Sequence, residues 1–171
     1  MCIRDRSSTA HNYVLTNVID GSTDYLKLNT TDAKTDITGG ATSLFRLDPK
    51  TFTDWWSSSQ TVINYCFHSV TGYSSIGAYT GSGASGKTVT VGFEPSWVLI
   101  KNATTAALSW SIWDNQRSPS NPRNLAAWAD YAGGDYTQTN GLNFNSTSFE
   151  LLNAMNYLNK SGDTFIYMAF K

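Results

Sequence analysis

The chain has 171 residues, room for one ordinary domain or for one domain plus part of another. Charged residues make up 15%, aromatics reach 13% and the formal net charge is -1, so the surface must be built largely from Ser, Thr, Asn and Gly rather than from the roughly 25% charge of an average soluble domain. There is no basic field for gripping nucleic acid and no apolar run near the roughly 20 residues of a membrane-spanning helix, which sets both partners aside.

In chain order, the start MCIRDRSSTA has no hydrophobic core to act as a signal peptide. MCIRDR resembles the translated end of a sequencing adapter, so residues 1–9 are expected to be an artefact or a disordered start. Cys2 falls in that stretch. Cys66 is then the cysteine that remains, no internal disulfide is expected, and the residue reads as a small buried apolar side chain.

Strands follow. TVINYCFH (61–68), YSSIGAYT (73–80), KTVTVGF (87–93), WVLIKN (97–102), LSWSIWD (108–114), GLNF (141–144), SFELL (148–152) and DTFIYMAFK (163–171) are short and rich in β-branched and aromatic residues. Gly, Asn, Ser or Pro clusters separate them. Several alternate at period two, as Val89, Val91 and Phe93 do, and as Leu108, Trp110 and Ile112 do. In WVLIKN one of two alternating sets, Trp97 with Leu99 and Lys101 or Val98 with Ile100, should face the core. NPRNLAAWADYA (121–132) is the best helix candidate, with Asn121 as cap, Pro122 in the first turn and Gly133 as stop. The pattern predicts an all-β fold, an antiparallel, jelly-roll-like β-sandwich.

Residues 81–88, GSGASGKT, match the phosphate-loop string GxxxxGK[ST] letter for letter. That loop works by joining a buried parallel strand to a helix whose amides hold phosphates. Here a polar strand precedes Gly81, and after Gly86, Lys87 and Thr88 the alternating TVTVGFEP cannot open a helix. The match is judged fortuitous, a hairpin loop, and no cofactor is expected.

The chain also resembles itself. Tyr13 aligns with Trp110, Leu15 with Ile112, Asn17 with Asp114, Leu26 with Leu125, Asp32 with Asp130, Phe52 with Phe149, and TVINYCFH with TFIYMAFK. The expected organisation is residues 10–68 as the C-terminal half of a truncated repeat module and 69–171 as a complete one. One continuous sandwich is the alternative.

With these residues in view, the chain resembles a module recurrent in tail-fibre and other virion structural proteins of tailed bacteriophages, especially marine ones. The resemblance rests on YxxxGxYTGxG (73–83), GFxPxxVLIK (92–101), WxIxDxxR (110–117) and IYMAF (166–170). It covers the second module well and the first as the tail of a preceding copy. That family is a domain of unknown function, and the resemblance implies a virion location, assembly in the bacterial host cytoplasm, and virion or tail proteins and sister subunits as partners.

Catalysis is not expected. General acid/base work needs positioned ionisable groups; His11 lies beside the suspect start, and His68 ends a strand next to Ser69 with no Asp or Glu nearby in sequence. DYAGGD (130–135) is too thin for a calcium loop, and no metal site is expected. The strings N-x-[ST] at Asn29, Asn102, Asn145 and Asn159 carry little weight in a chain so rich in these residues. Asp114 and Arg117 read as a pair across a turn that fixes SPSNP, with a carbohydrate or ion contact as the sharper alternative. Trp55 and Trp56, and the group Trp128, Tyr131 and Tyr136, are candidates for stacking on host surface glycans. The expected function is a non-catalytic phage virion structural protein, with a lectin-like receptor-recognition module as the second reading.

Overall fold

The computed structural model of the chain describes residues 2–6, 12–37 and 62–171. Trp55, Trp56 and Phe52 lie outside them. Two antiparallel sheets carry the described fold. The first contains β1 (Cys2–Arg6), β2 (Tyr13–Thr16), β3 (Asp24–Lys27), β4 (Thr35–Asp36) and β5 (Val62–Cys66), in the order β4-β3-β2-β1-β5. The second contains β6 (Ser74–Thr80), β7 (Lys87–Thr90), β8 (Trp97–Asn102), β9 (Ser111–Asp114), β10 (Arg123–Trp128), β11 (Tyr136–Asn145), β12 (Ser148–Leu151) and β13 (Thr164–Phe170), with a four-residue helix α1 (Asn156–Asn159) before the last strand.

The order in the second sheet is β6-β13-β8-β9-β10-β11-β12-β7. Its two rims, β6 and β7, are consecutive in the chain, so the sheet must curl until the residues 81–86 can join them. The result is a nearly closed barrel. Tyr79 on one rim stacks on Phe165 at 5.1 Å and meets Phe149 edge-on at 6.2 Å across the interior. Val98, Ile100, Trp113, Leu142, Phe149 and Phe165 fill that interior, all fully buried.

The alternation of WVLIKN places Val98 and Ile100 inside the barrel, as one of the two expected sets. The other set is also covered. Leu99, with Ile166 and Met168 of β13, faces outward onto Val14 and Leu26 of the first sheet. The wall β13-β8-β9 is therefore largely apolar on both faces, which explains why IYMAF and the VLI before Lys101 run apolar without a break. The layered packing arises here, between the first sheet and the outside of the curled second sheet. A cavity of about 380 Å³ remains in this layer, lined by apolar side chains including Leu28, Phe67, Trp97, Ile112 and Phe170.

Two expectations are corrected. NPRNLAAWADYA contains no helix: Arg123–Trp128 is β10, paired with β9 and β11. Asn121 does not cap; its amide bonds the backbone of Phe144 at both N and O, 2.9 and 2.8 Å. Ladder bonds on both sides, and burial of Ala126 against Trp113, outweigh the helical propensity of Leu-Ala-Ala. A register shift lies between Arg123 and Leu125, opposite Gly141, where a Cβ would come 2.2 Å from the Arg123 carbonyl oxygen. Second, Cys66 is exposed, because its strand is the last described in the first sheet. Residues 2–6 form β1 between β2 and β5.

That position has a counterpart in the barrel. The strand order β5-β1-β2-β3 repeats β13-β8-β9-β10, antiparallel throughout. Strands β5 and β13 are the aligned TVINYCFH and TFIYMAFK, and β1 stands where β8 stands. Following the ladders, Cys66 leads through Cys2 to Leu15, and Ala169 through Val98 to Trp113. Leu15 thus corresponds to Trp113, one residue on from the Ile112 of the sequence comparison.

Candidate ligand-binding surface

Asp114 ends β9 and turns the chain. Its Oδ1 accepts the backbone N–H groups of Gln116 and Arg117 at 3.0 and 2.7 Å, and its Oδ2 takes the Arg117 Nε at 2.6 Å. Arg117 reaches on to Asp135 at 2.9 Å and to the Ile112 carbonyl at 3.3 Å. Burial opposes the charge on Asp114, but the Arg117 and Gln116 bonds outweigh it and hold the carboxyl below its ordinary range. The guanidinium is thereby committed within the fold.

Asp135 is followed by Tyr136, and here the aromatic candidates assemble. Trp128 lies 5.5 Å from Tyr136, tilted by 46°, and 4.9 Å from Tyr157, edge-on. Tyr157 on α1 bonds Gln138 at 3.1 Å and packs on the barrel core. Tyr136 is 48% exposed and Tyr131 67%. The structure thus joins Trp128 directly to Tyr136 and sets Tyr157 on its other side, a residue that sequence reading missed because a single Tyr in a short polar stretch carries no periodic signal. Tyr131 belongs to the following turn, its ring lying over Gly133.

Gly81, Gly86, Lys87 and Thr88 are placed otherwise. The amide of Gly81 donates to the Asp163 carbonyl at 2.8 Å, that of Gly83 to Asn159 at 2.9 Å and that of Gly86 to Leu151 at 2.8 Å. A Cβ on Gly81 would stand 2.1 Å from the Lys160 carbonyl oxygen. Asn159, fully buried, accepts the Ser82 amide at 2.7 Å and donates to the Ala84 carbonyl at 2.6 Å. Lys87 and Thr88 open β7, opposite Leu151 and Glu150. These amides are turned onto protein carbonyls, so the geometry is that of a rim-to-rim turn and not of a phosphate cradle.

Two polar groups escaped sequence reading. Lys101 is wholly buried and donates to the carbonyls of Thr31 and Leu108. Burial lowers its pKa to about 8, against the pull of Asp130 and Asp32. At the far edge of the first sheet, Lys34 Nζ lies 2.5 Å from Asp20, 2.6 Å from Asp36 and 3.2 Å from Asp24. Burial, together with a hydrogen bond shared with Asp36, pushes the Asp24 carboxyl up to about 6. The signal was present as D-x-x-x-D followed by K-x-D, but only the hairpin pairing brings the two ends together. Of the N-x-[ST] asparagines, Asn102 and Asn159 are fully buried.

Among the described residues this is an all-β protein whose exposed aromatic side chains are Tyr65 and Tyr73 as well as Tyr131 and Tyr136. The chain belongs to the family described as Domain of unknown function (DUF7483), which matches residues 1–171. No curated protein and no solved structure matches it.

Proposed function

We propose that this chain is a non-catalytic structural component of a phage virion, in a tail fibre or another part of the tail or particle surface. The observation that carries the reading is that the residues of the resembling motifs serve the fold. Gly81 admits the Lys160 carbonyl, Leu99 and Ile166 build the wall between the two sheets, and Asp114 with Arg117 ties β9 to Asp135. Asp163 likewise serves the fold, accepting from Asn102 at 2.8 Å and from Thr105 at 2.6 Å. Partners of an architectural module are sister subunits and other tail proteins. Sedimentation velocity on the full chain tests this: self-association at micromolar concentration is expected, and a strict monomer counts against it.

A second reading, recognition of host glycans, is favoured by the exposure of Tyr131 and Tyr136 beside Trp128. Aromatic faces of this kind stack on sugar rings. On a glycan panel, Tyr136→Ala is expected to lose binding with its melting temperature unchanged; undiminished binding removes this surface from consideration.

A further inference from the structure

Neither reading uses the cavity between the two sheets. Leu28 and Phe67, which follow β3 and β5, line it from the first sheet, and Leu99, Ile112, Met168 and Phe170 line it from the outer wall of the barrel, around about 380 Å³. Phe67 meets Phe170 edge-on at 6.0 Å and Trp97 lies 5.8 Å from Phe170, so three aromatic rings gather in its wall. Protein interiors hold few voids larger than a water molecule. This one has the size of a small-ligand site.

The walls decide what can fill it. Among the described residues every lining side chain is apolar, and a buried water needs several polar partners to stay in place. A charged or hydrogen-bonding ligand inside would lose its hydration without replacement. An inserted stretch of polypeptide fares no better, because its N–H and C=O groups would go unpaired. Hydrocarbon is what remains. Phe67, Trp97 and Phe170 are only half-buried, so the aromatic part of the wall reaches solvent and gives a way in.

We propose that this cavity is a binding site for a small neutral hydrocarbon, held between the first sheet and the barrel wall. An apolar cavity of about 150 Å³ takes benzene, so the larger space here suits two fused rings, or an alkyl chain with a similar number of carbons. The unbranched thioether of Met168 adapts to the outline of either, and the neighbouring rings offer it their faces. The ligand therefore bridges the two sheets, adding apolar contact to both.

Naphthalene is the probe, with 2-naphthoate as its charged counterpart. In the full chain carrying carbon-13-labelled methionine methyl groups, naphthalene is expected to move the Met168 signal and leave that of Met155, which precedes α1, in place. Saturation at one molecule per chain should raise the melting temperature, and 2-naphthoate should bind about tenfold more weakly or worse. Ala129→Leu and Leu28→Trp fill the space from opposite walls, and each should weaken naphthalene about tenfold or more. A Met168 signal unmoved up to the solubility limit of naphthalene overturns the site. So do titrations that both folded variants leave unchanged, and 2-naphthoate binding as tight as naphthalene overturns the neutral class of ligand.

Discussion

Asn159 holds the turn between the barrel rims with one buried amide, bonding Ser82 and Ala84 from both ends. Asn159→Ala strands those backbone groups, and is expected to cost about 1–3 kcal/mol, read as a lower urea midpoint with an unchanged slope. Sequence reading saw this residue only within an N-x-S string, because its partners lie 75 and more positions away. Lys101 poses a problem of sign. Its folded pKa of about 8 lies below the ordinary 10.5, so above pH 8 the unfolded chain holds the extra proton and stability rises with pH towards 10.5. Unfolding at pH 8 and at about pH 9.5 should show that rise in wild type, and Lys101→Met should flatten it. The upper limit avoids Tyr79, whose hydroxyl burial pushes above its ordinary value of 10.0 and which acts in the opposite sense.

Strand positions were legible because alternation and turn residues are local. WVLIKN is a strand over its full predicted length, YSSIGAYT exceeds β6 by one residue at its start, and DTFIYMAFK exceeds β13 by one residue at each end. What local pattern cannot report is a second covering layer. One face of WVLIKN was expected in the core, and both faces are, since the first sheet arrives from residues far away in sequence. The same blindness made a helix of β10, whose neighbours decide its state. The two faces of β13 give a test at this scale. Ile166→Ala on the outer face should cost about 2–4 kcal/mol, and Phe165→Ala inside the barrel about 3–5 kcal/mol. Amide exchange in β2 and β3 should quicken more in the Ile166 variant, whose side chain packs in the cluster that holds Val14 and Leu26.

For the whole molecule, the strand order β5-β1-β2-β3 parallels β13-β8-β9-β10, and the ladders set Leu15 against Trp113 where the sequence comparison set it against Ile112. The candidate site was legible in part. Asp114, Trp128 and Tyr136 lie on neighbouring strands and Arg117 in the turn after β9, but Asp135, which Arg117 reaches, and Tyr157, which packs on Trp128, gave no pattern of their own. The string GSGASGKT shows the reverse case, a motif whose letters match and whose backbone does not. ATP with magnesium is expected to leave the melting temperature unmoved, and Lys87→Ala to stay within about 0.5 kcal/mol of wild type; a thermal shift abolished by that substitution would sink the turn assignment.

The wall of β13, β8 and β9 belongs to two interiors at once. Neither the sheet nor the barrel can come apart in hot solution without stripping the apolar lining of the other, so scanning calorimetry of the full chain should record one endotherm, its van't Hoff and calorimetric enthalpies equal. A protein divided into independent beads would give two.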